Sequence, residues 1–167
     1  MMEAMADEWV RSLGLQKHPE GGWYKEIYRS AESIPVSALP ERFTSARSFC
    51  TSIYFLLSDN EFSAFHRIKQ DELWHFYDGD GLSVHVIDRD GNYVEKLLGR
   101  KPQEGESFQH VVRAGDWFGA SVAPGGYALV GCTVAPGFDF SDFEMAARDE
   151  LLELFPQHRD LITRLTR

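Results

Sequence analysis

Cysteine is scarce in this chain, basic residues are outnumbered, and long apolar runs are missing. The 167 residues include two cysteines, Cys50 and Cys132, both in apolar surroundings ("SFCTSIYF" and "LVGCTV"). With no Cys-x-x-Cys pair and no second pair to join it, a zinc ribbon or a disulfide-stapled mini-domain is excluded. Two buried free thiols are expected. Lysine and arginine number 17 against 26 aspartates and glutamates, giving a net charge of −9. Such a chain repels a phosphate backbone, which argues against nucleic acid as a partner. No stretch approaches the roughly 20 apolar residues that span a bilayer. The opening "MMEAMADEW" lacks the basic and apolar regions of a secretory signal. A cytoplasmic protein without membrane contact is expected.

Aromatic residues are abundant, at 13% of the chain. The length suits one domain, 1–167, with a sizeable core. Residues 3–13 read as a short helix, with Met5, Trp9, Val10 and Leu13 at helical spacing and Gly14 ending it. From Gln16 to Val134, short apolar or alternating runs are broken every few residues by Gly, Pro, Asp and Asn, the all-β pattern. Strands are expected at 23–29, 48–57, 62–68, 72–77, 82–87, 93–98, 107–112, 116–121 and 127–134. Residues 30–47 read as a long loop, of the kind that often serves as a lid or partner contact. Ser141 and Glu144 have capping-box spacing and predict helices over 141–166, with Pro156 as a break. The fold class is therefore all-β: a jelly-roll sandwich or barrel over 16–134, with a short N-terminal helix (1–14) and C-terminal helices.

The chemistry concentrates in "SAFHRIKQDELWHFYDG", residues 63–79. Alternate residues of a strand share a face. His66 and Ile68 therefore point one way, and Glu72, Trp74 and Phe76 share a face of the next strand. If the two runs pair as a hairpin, His66 and Glu72 meet inside the sandwich. A buried carboxylate is costly unless it is paired or metal-bound, which makes Glu72 informative. Strict alternation puts His75 on the opposite face, and a β-bulge would return it to the pocket. His85 is expected to face outward. "HPEGGWYKEIYR" (18–29) is a turn leading into a strand, with Glu20, Tyr24 or Glu26 as candidates for the pocket mouth. Arg29 and Arg47 are candidates for holding an anion.

These residues carry a resemblance. His66, Glu72 and Gly79 fall on the first signature of the cupin superfamily (His-x-His, three or four residues, Glu, six residues, Gly), with Ile68 where the second His belongs. "AGDWFGASVAPGGYALVG" (114–131) resembles the second signature from Gly115, with Gly126 or Tyr127 in place of its His. The blocks "HPEGGWYKEIYRS", "TSIYFLL", "HRIKQDELWHFYDGD" and "GYALVGCTVAPGFDFSDFEMA" resemble a cupin branch catalogued as a domain of unknown function. The resemblance implies a jelly roll related to sugar-nucleotide epimerases, commonly a homodimer, with a small-molecule pocket inside the barrel.

Three readings follow. In the first, the pocket binds a carbohydrate or nucleotide-sugar-like ligand and does epimerase or isomerase chemistry without metal. His66 is then the base, Glu72 its orienter, and Tyr127 or Tyr77 the acid. Trp74, Phe76, Ile68, Tyr24 and His75 are the pocket candidates. In the second, His66 and Glu72 ligate a divalent transition metal, with a third ligand from His75, His110 or Gln109, since such sites need three or more. In the third, the pocket binds or stores a ligand without catalysis. No cofactor is expected under the first reading or the third.

Overall fold

The computed structural model describes residues 2–59 and 61–167. Among them, eleven strands form two facing antiparallel sheets. One sheet runs in the order β1 (Gln16–Lys17), β2 (Trp23–Arg29), β5 (Thr51–Ser58), β12 (Tyr127–Ala135), β7 (Asp71–Gly79), β10 (Gln109–Val112). The other runs β13 (Glu144–Met145), β6 (Ser63–Arg67), β11 (Trp117–Ser121), β8 (Leu82–Ile87), β9 (Tyr93–Leu98). A short pair, β3 (Ser33–Ile34) and β4 (Arg47–Ser48), lies apart within and just after the expected loop. The two sheets make the jelly-roll sandwich that the strand pattern predicts.

The core between the sheets, beside the cavity described below, is apolar. Phe55, Leu57, Trp74, Val84, Leu98, Phe118, Ala128 and Val130 are each at most 1% exposed. Burying a side chain of this kind stabilises by about 1.5–3 kcal/mol relative to leaving it in water. Two further clusters cover the outer faces. Helix α1 (Met2–Leu13) lays Ala6, Trp9, Val10 and Leu13 on Leu56, Tyr127 and Leu129. Met5, expected on that face, is instead 45% exposed, because Ala6 takes the inward position. On the opposite side α2 (Arg148–Leu154) and α3 (Arg159–Arg164) bury Leu151 and Ile162 against Phe65 and Ile87.

Several expectations meet the structure here. Strands β6 and β7 do not form a hairpin. They belong to opposite sheets, so the faces of His66 and Glu72 look at each other across the sandwich. The helix expected from Ser141 is absent. Asp139, not Ser141, caps a single 3-10 turn at Phe140–Asp142, its side chain accepting from the Ser141 N–H at 2.8 Å. Tertiary contacts override the capping box. The Asp142 carboxylate is drawn into a buried bidentate pair with Arg47, at 2.6 and 2.7 Å. Met145 pairs with His66 as a sheet edge, and helix begins only at Arg148. Arg47 is thus committed to the scaffold and not to an anion. His85 faces outward from the sandwich, opposite Val84 and Val86, but is buried there, held between the Tyr93 and Ser121 hydroxyls at 2.8 and 2.9 Å. Both cysteines are free, Cys132 buried and Cys50 half-buried. No described helix is long and apolar enough to cross a membrane.

Candidate functional site

A cavity of about 490 Å³ opens between the sheets, within the size range of small-molecule sites. Its polar wall includes His18, Glu20, His66, Glu72 and Cys132. Its apolar wall is mainly Tyr24, Phe55, Phe138, Phe140 and Phe143.

The turn at His18–Gly22 delivers Glu20. Gly21 and Gly22 take φ of +112° and +76°. A Cβ on Gly21 would lie 2.1 Å from the Phe62 carbonyl oxygen, and one on Gly22 2.7 Å from that of Leu56. Only glycine fits this approach of the turn to β5 and the start of β6. The Glu20 carbonyl accepts from Ala64 N–H and from Arg167 Nη1, each at 2.8 Å, which fixes the turn on the strand. The Glu20 side chain, on a residue 6% exposed, then points inward. Its Oε1 accepts from the Ser63 hydroxyl at 2.7 Å, and its Oε2 lies 3.0 Å from His66 Nε2.

The protons in this cluster are legible from the bonds. His66 Nδ1–H donates to the Ala64 carbonyl at 2.7 Å, so its Nε2 is the acceptor when the ring is neutral. Burial lowers the imidazole to about 4. Burial also raises the Glu20 carboxyl. With Nδ1–H committed to Ala64, one shared proton lies between His66 Nε2 and Glu20 Oε2, and burial of both groups disfavours their charged forms. His18 extends the chain: its Nδ1 accepts from the Glu20 backbone N–H at 3.2 Å and lies 3.5 Å from Glu20 Oε2. Burial, against the pull of Glu20, lowers His18 as well.

Glu72 comes from β7, in the opposite sheet. It is 8% exposed and forms no ion pair among the described residues. The Cys132 thiol donates to it, while burial and then the nearby Glu20 raise it to about 8. At neutral pH the cavity therefore holds a protonated carboxyl on one side and a neutral histidine on the other.

The structure sorts the candidates. His66, Glu72, Ile68 and Tyr24 all line the cavity, as do Glu20, Glu26 and Arg29 near the mouth. Glu72 is not the orienter of His66; Glu20 and the Ala64 carbonyl hold that ring. Tyr127 is misplaced as an acid. It points to the outer face of its sheet, where its hydroxyl donates to Asp78 at 2.6 Å beneath α1. The alternate acid, Tyr77, is 48% exposed and packs over Gly131, away from the cavity. Trp74 and Phe76 share the inward face of Glu72 but serve the core beyond the cavity wall. His75 faces out to the Thr133 hydroxyl at 3.0 Å, because no bulge intervenes before it on β7. His18 and Cys132 were not singled out from the sequence. A His two residues before Glu20 in a double-glycine turn was the available signal for the first.

A bound transition metal is a poor fit to this donor set. Ile68 occupies the position of a second histidine. His75 and His110 are turned away, His110 bonding the Leu97 carbonyl at 3.1 Å, and Gln109 is exposed. Both His66 nitrogens are engaged. Among the described residues no three His, Cys, Asp or Glu side chains stand ready to hold a metal ion.

Comparison with known proteins agrees with the fold. The family model described as Cupin superfamily (DUF985) matches residues 7–146. The chain belongs to the cupin superfamily. A hypothetical protein from Leishmania major has a similar solved structure, with 38% identity and a TM-score of 0.88 over 96% of this chain and 98% of that one. An uncharacterized protein of Saccharomyces cerevisiae is 30% identical over 92% of this chain and 79% of its own length. Oxalate decarboxylase from Bacillus subtilis shares the fold at 16% identity and a TM-score of 0.54, over 89% of this chain and 36% of that one. This cupin domain thus carries an interior cavity whose polar groups converge from both sheets.

Proposed function

We propose that this cupin binds a small carbonyl-bearing ligand of about monosaccharide size and moves a proton on it without a metal, as an isomerase or epimerase does. The observation that carries the reading is the split of titratable groups across one cavity: His66 neutral with Glu20 on one side, Glu72 protonated on the other. Paired groups pushed apart in pKa mark the acid and base of a proton transfer. The Glu20–His66 pair, once its shared proton has passed to solvent, takes a proton from the carbon beside the carbonyl. Glu72 donates its proton to the carbonyl oxygen, and the reverse transfers complete the product with no net gain or loss of protons, while the proton on the base exchanges with solvent before it returns. Ser63 and the Ala64 carbonyl hold the base pair in place.

A nucleotide-sugar ligand is less well supported than a simple sugar. A diphosphate needs cationic partners, and Arg29 is the one guanidinium among the described lining residues. It is already paired with Glu26 at 2.8 and 2.9 Å.

The test is solvent-deuterium incorporation into a panel of aldoses, ketoses and amino sugars, alongside elemental analysis of the purified protein. Exchange by the metal-free protein that falls about a hundredfold or more in Glu72→Gln and His66→Gln is expected. Binding without exchange across the panel would leave a non-catalytic binder. Near-stoichiometric metal that disappears in His66→Ala would overturn the metal-free mechanism.

A further inference from the structure

The cavity has an unbalanced charge inventory. Four carboxyl side chains line it (Glu20, Glu26, Glu72 and Asp139) against the single guanidinium of Arg29. That guanidinium is spent. Its Nε and Nη2 bond Glu26, and its Nη1 bonds the Phe138 carbonyl at 3.0 Å. Arg167 approaches Glu20 only at the backbone carbonyl. Neither Glu20 nor Glu72 has a lysine or arginine partner among the described residues, though each is more than nine-tenths buried. Glu72 has only the weak thiol donor of Cys132. In the empty cavity burial favours the protonated forms of both carboxyls, and an ammonium entering it would displace those protons to solvent and pair with the carboxylates left behind.

The other wall points the same way. Phe138, Phe140 and Phe143 pack edge to face, with centroids 5.0 to 6.4 Å apart, and Tyr24 and Phe55 add two more rings to the apolar side. Aromatic faces beside carboxyls are the usual surroundings of an organic ammonium. The space is too large, and its donors too few, for a bare metal ion. The net charge of −9 also raises the local concentration of cations.

We propose that the ligand of this cavity is a small organic cation, a primary amine or amino sugar, whose ammonium is held by Glu20 and Glu72 against the aromatic wall. This rests on the reading of the same cavity as the ligand site and narrows the ligand class within it.

The test is equilibrium binding to the full chain of matched pairs that differ only in charge: glucosamine and glucose, benzylamine and benzyl alcohol, putrescine and butanediol. The amine of at least one pair is expected to bind about tenfold tighter or more at low salt. Glu72→Gln, which keeps shape and hydrogen bonding, should erase that preference while the circular dichroism stays unchanged. Phe140→Leu, at the exposed mouth, should weaken the amine about two- to thirtyfold and leave its neutral partner alone. Equal affinity within every pair, or no amine binding up to solubility, overturns the proposal. So does displacement of a bound amine by stoichiometric zinc or manganese, which would make the cation inorganic. The failures are separable. Amine preference without deuterium exchange sinks the acid–base chemistry alone, and exchange without amine preference sinks the cation proposal alone.

Discussion

Glu72 sits in an environment far from what water would provide. Its carboxyl ordinarily titrates near 4.5 and is raised to about 8 by burial and then by Glu20. Between those values the folded protein keeps a proton that the unfolded chain has lost, so the Glu72 contribution to stability falls as pH rises through this window. The slope from one such group is at most about 1.4 kcal/mol per pH unit. His66 works in the opposite sense. Lowered to about 4 from 6.5, it makes stability rise with pH across that lower range. Glu72→Gln removes only the first effect. Its urea midpoint should match the parent near pH 4.5 and exceed it increasingly toward pH 8.5. A constant difference across that range would mean that Glu72 is ionised in the fold. His66 and Glu72 were legible as a pair because a histidine and a glutamate interrupt apolar strand faces. Their relation was not legible, since it depends on which sheet each strand joins.

Among the elements, the His18–Gly22 turn matters most to the site. It is five residues long, yet it supplies Glu20 and His18 and seats on both β5 and β6. Gly21→Ala places a Cβ against the Phe62 carbonyl in a left-handed conformation. A loss of about 1–3 kcal/mol is expected from the backbone alone, with more from the clash. Glu20 should leave His66 at the same time, so the His66 ring protons, followed by NMR, should titrate at higher pH than in the parent. A parent-like His66 titration would show that the glycine does not position Glu20. The turn itself was readable from Pro-Glu-Gly-Gly. The capping box at Ser141 shows the opposite case, where a sound local signal lost to the Arg47–Asp142 pair and to the sheet edge formed by Met145.

At the scale of the whole molecule, the interior between the sheets continues outward through helices on both sides. The inward residues of β12 meet those of β7 and β5, while its outer face carries Tyr127 and Leu129 under α1. Phe65 and Ile87 do the same for the other sheet under α2 and α3. With every layer sharing strands with the next, 1–167 is expected to unfold as one domain. Ile162→Ala, at a fully buried helix position, should cost about 2–5 kcal/mol. Tryptophan fluorescence and far-ultraviolet dichroism should still report one coincident transition in urea. Separate midpoints would show that the C-terminal helices form their own unit.

The sequence by itself determined the strands, because alternation and turn residues act over a few positions and do not depend on distant partners. It also determined the all-β class and marked His66 and Glu72 as the polar residues on inward strand faces. Tertiary structure alone decided that β6 and β7 face each other, and that Glu20 rather than Glu72 holds the His66 ring. It alone put Tyr127 on the outer face under α1 and set Trp74 and Phe76, on the inward face, in the core beyond the cavity wall. The physical reason is range. Periodicity assigns a side chain to one face of its strand, but what covers that face is set by sheet order and by bonds between residues far apart in sequence, such as Ser63 with Glu20 and Tyr127 with Asp78.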